Sequence, residues 1–234
     1  MPGAFQLAKS LVGEHGPSVV RSVYLDTPTL QIARTCEEHP SYREKLRLRA
    51  YGEPHVGELA FLELKKKLNG VVYKRRVQMR LRDALALLRG EQPPITQIER
   101  DIGAAAGRYD GLGPMAYIAY DREALYELGN RDLRMTYDRR VRARWDAPAL
   151  DLTGGTEQLL EDGLPILEIK SSRALPAWLA DAISELGLVQ RPWSKFGMAC
   201  RTHGYGAAIG TCRRTARQRP VAHPYALPLV PHCN

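Results

Sequence analysis

Arg43, Lys45, Arg47 and Arg49 fall on every second position, with Glu44, Leu46, Leu48 and Ala50 between them. A repeat of two is the strand repeat, so this segment predicts a strand with one cationic face and one mostly apolar face. The same alternation returns along the chain. SVVRSVYLDT reads as a strand that ends at Asp26-Thr27-Pro28, and a polar connection runs from there through Cys36 to Tyr42. GELAFLELKKK and VVYKRRVQMR form a hairpin around Leu68-Asn69-Gly70, since Asn-Gly is the preferred tight-turn pair. MAYIAYDREALYE and RDLRMTYDRRVRARW make a second hairpin around Gly129-Asn130, and LPILEIKS is a further strand.

Helical periodicity is expected in four places: AFQLAKSLV at the start, Asp83 to Gly107 with a break at Pro93-Pro94, AWLADAISELG after Pro176, and Lys195 to His203. Hairpins with helices grouped rather than alternating indicate an α+β domain. Residues 1–204 read as that unit. Residues 205–234 are Arg- and Pro-rich without periodicity and read as a disordered tail.

The cationic faces recur from strand to strand. Lys74, Arg76 and Gln78 share one face of their strand, with Val77 and Met79 opposite. Arg122 is in phase with Tyr120; Arg134 is in phase with Thr136 and Asp138, against Leu133, Met135 and Tyr137. Glu168 and Lys170 share one side, as do Glu63 and Lys65. One account is a solvated outer face. The other is a barrel whose apolar faces pack outward on helices while about ten Lys and Arg line a central channel filled by a polyanion. Solvated faces usually mix both signs, and arginines side by side on neighbouring strands repel, which favours the channel. Glu168 is then either the salt-bridge partner of these cations or a ligand for Mg²⁺ or Mn²⁺, which bind one or two carboxylates plus phosphate oxygens.

Composition agrees. The 234 residues carry a formal net charge of +8, with 44% hydrophobic and 26% charged residues, as in a globular domain with a polyanionic partner. Six dispersed histidines and four scattered cysteines, with no C-x-x-C pair, argue against a structural zinc site or a disulfide framework. No apolar run is long enough to span a bilayer and no signal peptide is read, so the expected compartment is the cytoplasm. Aromatic content is 7%, with no basic helix or stacking platform, so nucleic acid is not the expected partner.

In order along residues 19 to 203, SVYLDTP, KLRLRAYG, FLELKKK, VVYKRRV, YDREAL, LRMTYDRRV, ILEIKS and WSKFGMA resemble the VTC domain, a polyphosphate polymerase domain of the CYTH-like triphosphate tunnel superfamily. The resemblance implies an antiparallel β-barrel, or tunnel, with flanking helices. It implies transfer of the γ-phosphoryl of ATP onto inorganic polyphosphate with Mn²⁺ or Mg²⁺, and leaves room for a membrane partner. Matched by motif, Arg47, Arg49, Lys65, Lys74, Arg122, Arg134 and Lys195 would be the catalytic cations. Lys45, Arg76, Lys170 and Ser194 would bind substrate, and Glu168 would bind the metal. Glu63 and Asp138 would be supporting acids. The family's usual opening strand, E-x-K-[YF], is not found ahead of SVYLD, so either the start is placed too far downstream or the expected barrel lacks its first strand. The alternatives are a tunnel triphosphatase or polyphosphatase, disfavoured because no paired glutamates precede Glu63, and a catalytically impaired polyphosphate-binding module.

Overall fold

The computed structural model describes residues 11–38, 41–53, 57, 59–127, 130–150, 154–160, 164–203 and 229–230. Its strands are β1 (Leu11–Asp26), β2 (Tyr42–Tyr51), β3 (Leu59–Leu68), β4 (Val71–Arg80), β5 (Gly113–Glu127), β6 (Asn130–Arg144), β7 (Glu157–Gln158), β8 (Ile166–Lys170) and β9 (Leu229–Val230). Its helices are α1 (Gln31–Glu38), α2 (Leu81–Leu88), α3 (Gln97–Ala106), α4 (Ala177–Glu185) and α5 (Lys195–Thr202). One sheet takes the order β4-β3-β2-β1-β5-β6-β8-β9, with β7 beside β6. Every pairing is antiparallel except β8 with β9.

The β2 and β8 strands, both long hairpins, α2, α3, α4 and α5 stand where the alternation and the breakers put them. Asn69 (φ 48°) and Gly70 (φ 88°) take the left-handed conformations that the tight β3–β4 turn requires. Three expectations change. The connection through Cys36 contains α1, whose first amides are held by a carboxylate five residues upstream. Asp26 accepts from Thr27 N at 2.7 Å, Ile32 N at 2.9 Å and Ala33 N at 2.9 Å. At the start, Leu11 and Val12 belong to β1 rather than to a helix, because they pair with Glu127 and Tyr126 of β5. The remainder of that expected helix, and any strand before it, lies outside the described residues. Third, the sheet is open among the described residues: no pairing joins β4 to β8 or β9, so the ladder does not close into a barrel. Leu229–Val230 fall within the segment read as a tail, most of which lies outside the described residues.

Alternation sorts the faces. On the outer face Leu46, Leu48, Leu62 and Leu64 meet Ala84 and Leu87 of α2 and Ile102 and Ala105 of α3 in one core. Leu133, Met135 and Leu167 pack on Leu179 of α4 in another. The inner face departs from the expectation that helices lie only outside. Val20, Tyr24, Ile118 and Tyr120 bury Phe196, Ala199 and Cys200 of α5, and Tyr24 stacks on Phe196 with centroids 4.9 Å apart. Register shifts in β1 and between Ala119 and Asp121 of β5 bend these strands. Opposite the β5 shift, Arg140 adopts φ 50° and pairs with Asp121.

Asp26 is fully buried, so Asp26→Ala would strand three amide donors and unpin α1. The expected loss is about 2–4 kcal/mol, measured as a lower urea midpoint with unchanged slope.

Candidate functional site

Three rows cross the inner face of β2, β3 and β4. Lys45, Lys65 and Lys74 stand opposite one another in the first, Arg47, Glu63 and Arg76 in the second, and Arg49, Phe61 and Gln78 in the third. Like charges directly opposite one another destabilise a sheet, so the first row is costly unless anions approach it.

Glu63 supplies part of the compensation. Arg47 Nε donates to its Oε2 at 2.6 Å, while Oε1 lies 3.2 Å from Arg76 Nε and 3.5 Å from Lys74 Nζ. Burial pushes the carboxyl up, but the charges of Arg47 and Arg49, the Arg47 hydrogen bond and Lys74 outweigh it and hold the pKa at about 2. Neutral hydroxyls fix the neighbouring guanidinium groups. Arg47 Nη1 donates to the Tyr24 hydroxyl at 3.2 Å; Arg49 donates to Ser22 Oγ and to the Tyr120 hydroxyl, each at 3.1 Å. Burial raises the Tyr24 phenol, yet Arg47, Arg49, Lys45 and Lys195 together bring it down to about 8. That shift reports a strongly positive potential at the floor of the site.

Asp138 organises the opposite flank. It is fully buried, accepts from Arg122 Nε at 2.6 Å and Nη2 at 2.7 Å, and lies 2.6 Å from Lys195 Nζ. Burial raises its pKa, but Lys195 and the bidentate Arg122 overcome this and leave it lowered. The start of α5 spans the two flanks. Ser194 caps the helix by accepting from Gly197 N at 3.2 Å, and accepts from Lys45 Nζ at 2.9 Å. The next residue, Lys195, reaches Asp138 and sits 4.5 Å from the Tyr120 ring centroid.

On β6 and β8, Arg134 opposes Lys170 and Thr136 opposes Glu168. Glu168 stands among three side chains. Arg122 Nη2 is 3.7 Å away, Lys170 Nζ 3.8 Å, and Thr136 Oγ1 donates at 3.4 Å. Burial, then Arg122, Arg134 and Lys65, lowers the pKa of Lys170 against the pull of Glu168. Lys65 acts across the site here. Five strand steps separate β3 from β8, about 24 Å in a flat sheet, so the sheet curls to bring the two lysines within electrostatic reach.

Nine of the ten sequence-predicted cations occupy inward strand positions and the tenth, Lys195, lies on α5; they form two clusters bridged by that helix, while Arg134 and Lys170 sit at an exposed rim. Ser22 and Tyr24 were missed as site residues; their signal was the alternation Ser22, Tyr24 against Val23, Leu25 in β1. For a divalent metal, the donor chemistry fits one carboxylate. Glu63 and Asp138 are each held by cations at 2.6 Å, and Glu168 stands on the inward face of β8 opposite Thr136. Among the described residues no group of three or more acidic, His or Cys side chains forms a metal cluster. Any Mg²⁺ or Mn²⁺ here would take Glu168 plus oxygens from phosphate and water.

The model described as the VTC domain matches residues 6–203. No curated protein matches the chain. Solved structures that resemble it include a candidate adenylate cyclase from Bacillus halodurans, at 13% identity and TM-score 0.48, covering 81% of this chain and 84% of that one. A protein of Pyrococcus horikoshii OT3 matches at 12% identity and TM-score 0.34, covering 80% and 81%. A Hippeastrum candidate adenylyl cyclase with a dominant triphosphatase activity matches at 16% identity and TM-score 0.33, covering 62% and 69%.

The Glu63 shift sets an acid dependence. Its folded pKa lies below its unfolded value, so its contribution is complete above the unfolded pKa and is lost as pH falls through about 2. Between about pH 6 and pH 2, wild type should lose roughly 3 kcal/mol more stability than Glu63→Gln in urea titrations. Equal losses in the two proteins would overturn the ion-pair assignment.

Proposed function

This chain belongs to the VTC domain family, and on that premise we propose that it is a phosphotransferase that moves the γ-phosphoryl of ATP onto inorganic polyphosphate in a cationic tunnel. The row of three lysines, Lys45, Lys65 and Lys74, carries the reading, because three like charges set side by side on one face suit a dense anion. Among the described residues these ten cations face three carboxylates, and the surplus of positive charge suits a chain of phosphates.

In this proposal the curled sheet forms the wall of the tunnel, and residues 1–204 form the working unit. Among the described residues no helix is long and apolar enough to cross a membrane. We place the chemistry in the cytoplasm, where ATP is at hand. Arg47 and Arg49, aimed by Glu63, Tyr24, Ser22 and Tyr120, bind phosphate oxygens. Arg122 and Lys195, aimed by Asp138, hold the phosphoryl group being transferred, while Arg134 and Lys170 guide the polymer at the rim. No protein nucleophile is required, because a terminal phosphate oxygen of the acceptor attacks. Catalysis is then alignment and charge neutralisation by groups already in place. Glu168 would hold Mg²⁺ or Mn²⁺, whose bound charge would offset that of adjacent phosphates.

Purified protein given ATP and Mn²⁺ should make long-chain polyphosphate, visible by dye staining on a gel. Chain shortening would indicate a tunnel polyphosphatase, and binding without turnover a polyphosphate-binding module. Arg47→Ala should raise the KM for polyphosphate about 10- to 100-fold, the loss of one charge-assisted contact. Glu168→Ala should chiefly abolish metal dependence, and metal-dependent turnover in that variant would refute the metal assignment.

Tripolyphosphate should also raise the Tyr24 phenol above about 8, because an added polyanion offsets the cations that lower it. Ultraviolet titration, with Tyr24→Phe as the blank, reads this without turnover.

A further inference from the structure

On one flank of the site the inward ladder changes character at the same end of three adjacent strands. Along β2 it runs Lys45, Arg47, Arg49 and then Tyr51; along β3 it runs Lys65, Glu63 and then Phe61; along β4 it runs Lys74, Arg76 and then Gln78. Tyr51 and Phe61 meet edge to face with centroids 5.8 Å apart. The Arg76 guanidinium carbon lies 3.6 Å from the Phe61 ring centroid and 5.8 Å from that of Tyr51, and Arg76 Nη2 donates to the Tyr51 hydroxyl at 3.2 Å. Arg76 Nε meanwhile stays 3.2 Å from Glu63 Oε1, so the same guanidinium joins this aromatic group to the phosphate-facing row.

This end is open to solvent. Tyr51 is 43% exposed and Gln78 is exposed; at the opposite end Lys74 is exposed too, while Lys45 is engaged by Ser194 at the start of α5. A large exposed ring fixed by arginines at the end of a cation ladder has the chemistry of a base-stacking surface.

We infer that Tyr51, Phe61, Arg76 and Gln78 form the nucleobase platform of a nucleoside triphosphate, whose phosphates run inward along Arg49, Arg47 and the lysine row. The inference rests on the proposed function and names where its donor nucleotide is held. From Phe61 to Lys65 the strand rises about 13 Å, which accommodates an extended triphosphate behind a stacked base. Stacking accepts any base. The Gln78 amide, offering one donor and one acceptor, matches the amino and ring nitrogens on one edge of adenine and favours ATP over GTP.

Isothermal titration of ATP, GTP and inorganic tripolyphosphate, which has no base, tests this on the full chain. Tyr51→Ala should weaken ATP about 10-fold or more, the usual effect of losing one stacking ring, and leave tripolyphosphate within twofold. Tyr51→Phe should retain most of the ATP affinity, which separates the ring from a folding defect. Gln78→Ala, at an exposed position, should remove the preference for ATP over GTP without changing tripolyphosphate. If Tyr51→Ala and Gln78→Ala leave ATP unchanged while tripolyphosphate binds normally, the platform is wrong and the phosphate site stands. A parallel loss of ATP and tripolyphosphate in Tyr51→Ala also overturns it. If neither ligand binds wild type, both this inference and the proposed function fall.

Discussion

Two buried carboxylates, Glu63 and Asp138, determine where five of the ten inner-face cations stand. A charge withdrawn from water is tolerable only when opposite charge and hydrogen bonds surround it closely. Each acid meets that condition by drawing two or three basic side chains toward itself: Arg47, Lys74 and Arg76 around Glu63, and Arg122 with Lys195 around Asp138. The arrangement is deliberately incomplete in charge. Three carboxylates cannot offset ten cations, so the potential at the floor remains positive enough to bring the Tyr24 phenol down to about 8.

The outer face makes that placement rigid. Glu44, in phase with the leucines of β2, is buried and accepts from Arg108 Nη2, from the Tyr109 hydroxyl at 2.8 Å and from the Tyr42 hydroxyl at 2.9 Å. It locks β2 to the segment that follows α3. Arg21 is buried on β1 and donates to the backbone carbonyls of Gly52, Glu53 and Leu150, tying together loops that would otherwise be free to move apart. With helices packed on this same side, the strands hold their register and the inner side chains inherit it.

The position of α5 has consequences for the chemistry. A helix seated on the inner face fills part of it with Phe196, Ala199 and Cys200, and confines the polar region to the remainder. Burial among these groups pushes the Cys200 thiol up to about 12, so it behaves as a core residue rather than a reactive one. The start of the same helix delivers Ser194 to Lys45 on one flank and Lys195 to Asp138 on the other. One flank ends in the Tyr51–Phe61 pair and the other in the rim of Arg134 and Lys170, so the two ends of the site differ in kind.

Much of this was legible in the chain itself. Strict alternation in REKLRLRAY and VVYKRRVQM assigned each cation to a face, because a strand has only two faces and the leucines and valines claim one of them. Turn residues such as Asn69-Gly70 and breakers such as Pro93-Pro94 located the hairpins and helices for equally local reasons. What alternation cannot express is distance between strands. That Asp138 would hold Lys195, that Ser22 and Tyr120 would share Arg49, that α1 would hang on Asp26 and that α5 would lie inside rather than outside all depend on partners remote in sequence. Those contacts arise from strand order and from the curl of the sheet, and only the folded chain brings them within hydrogen-bonding range.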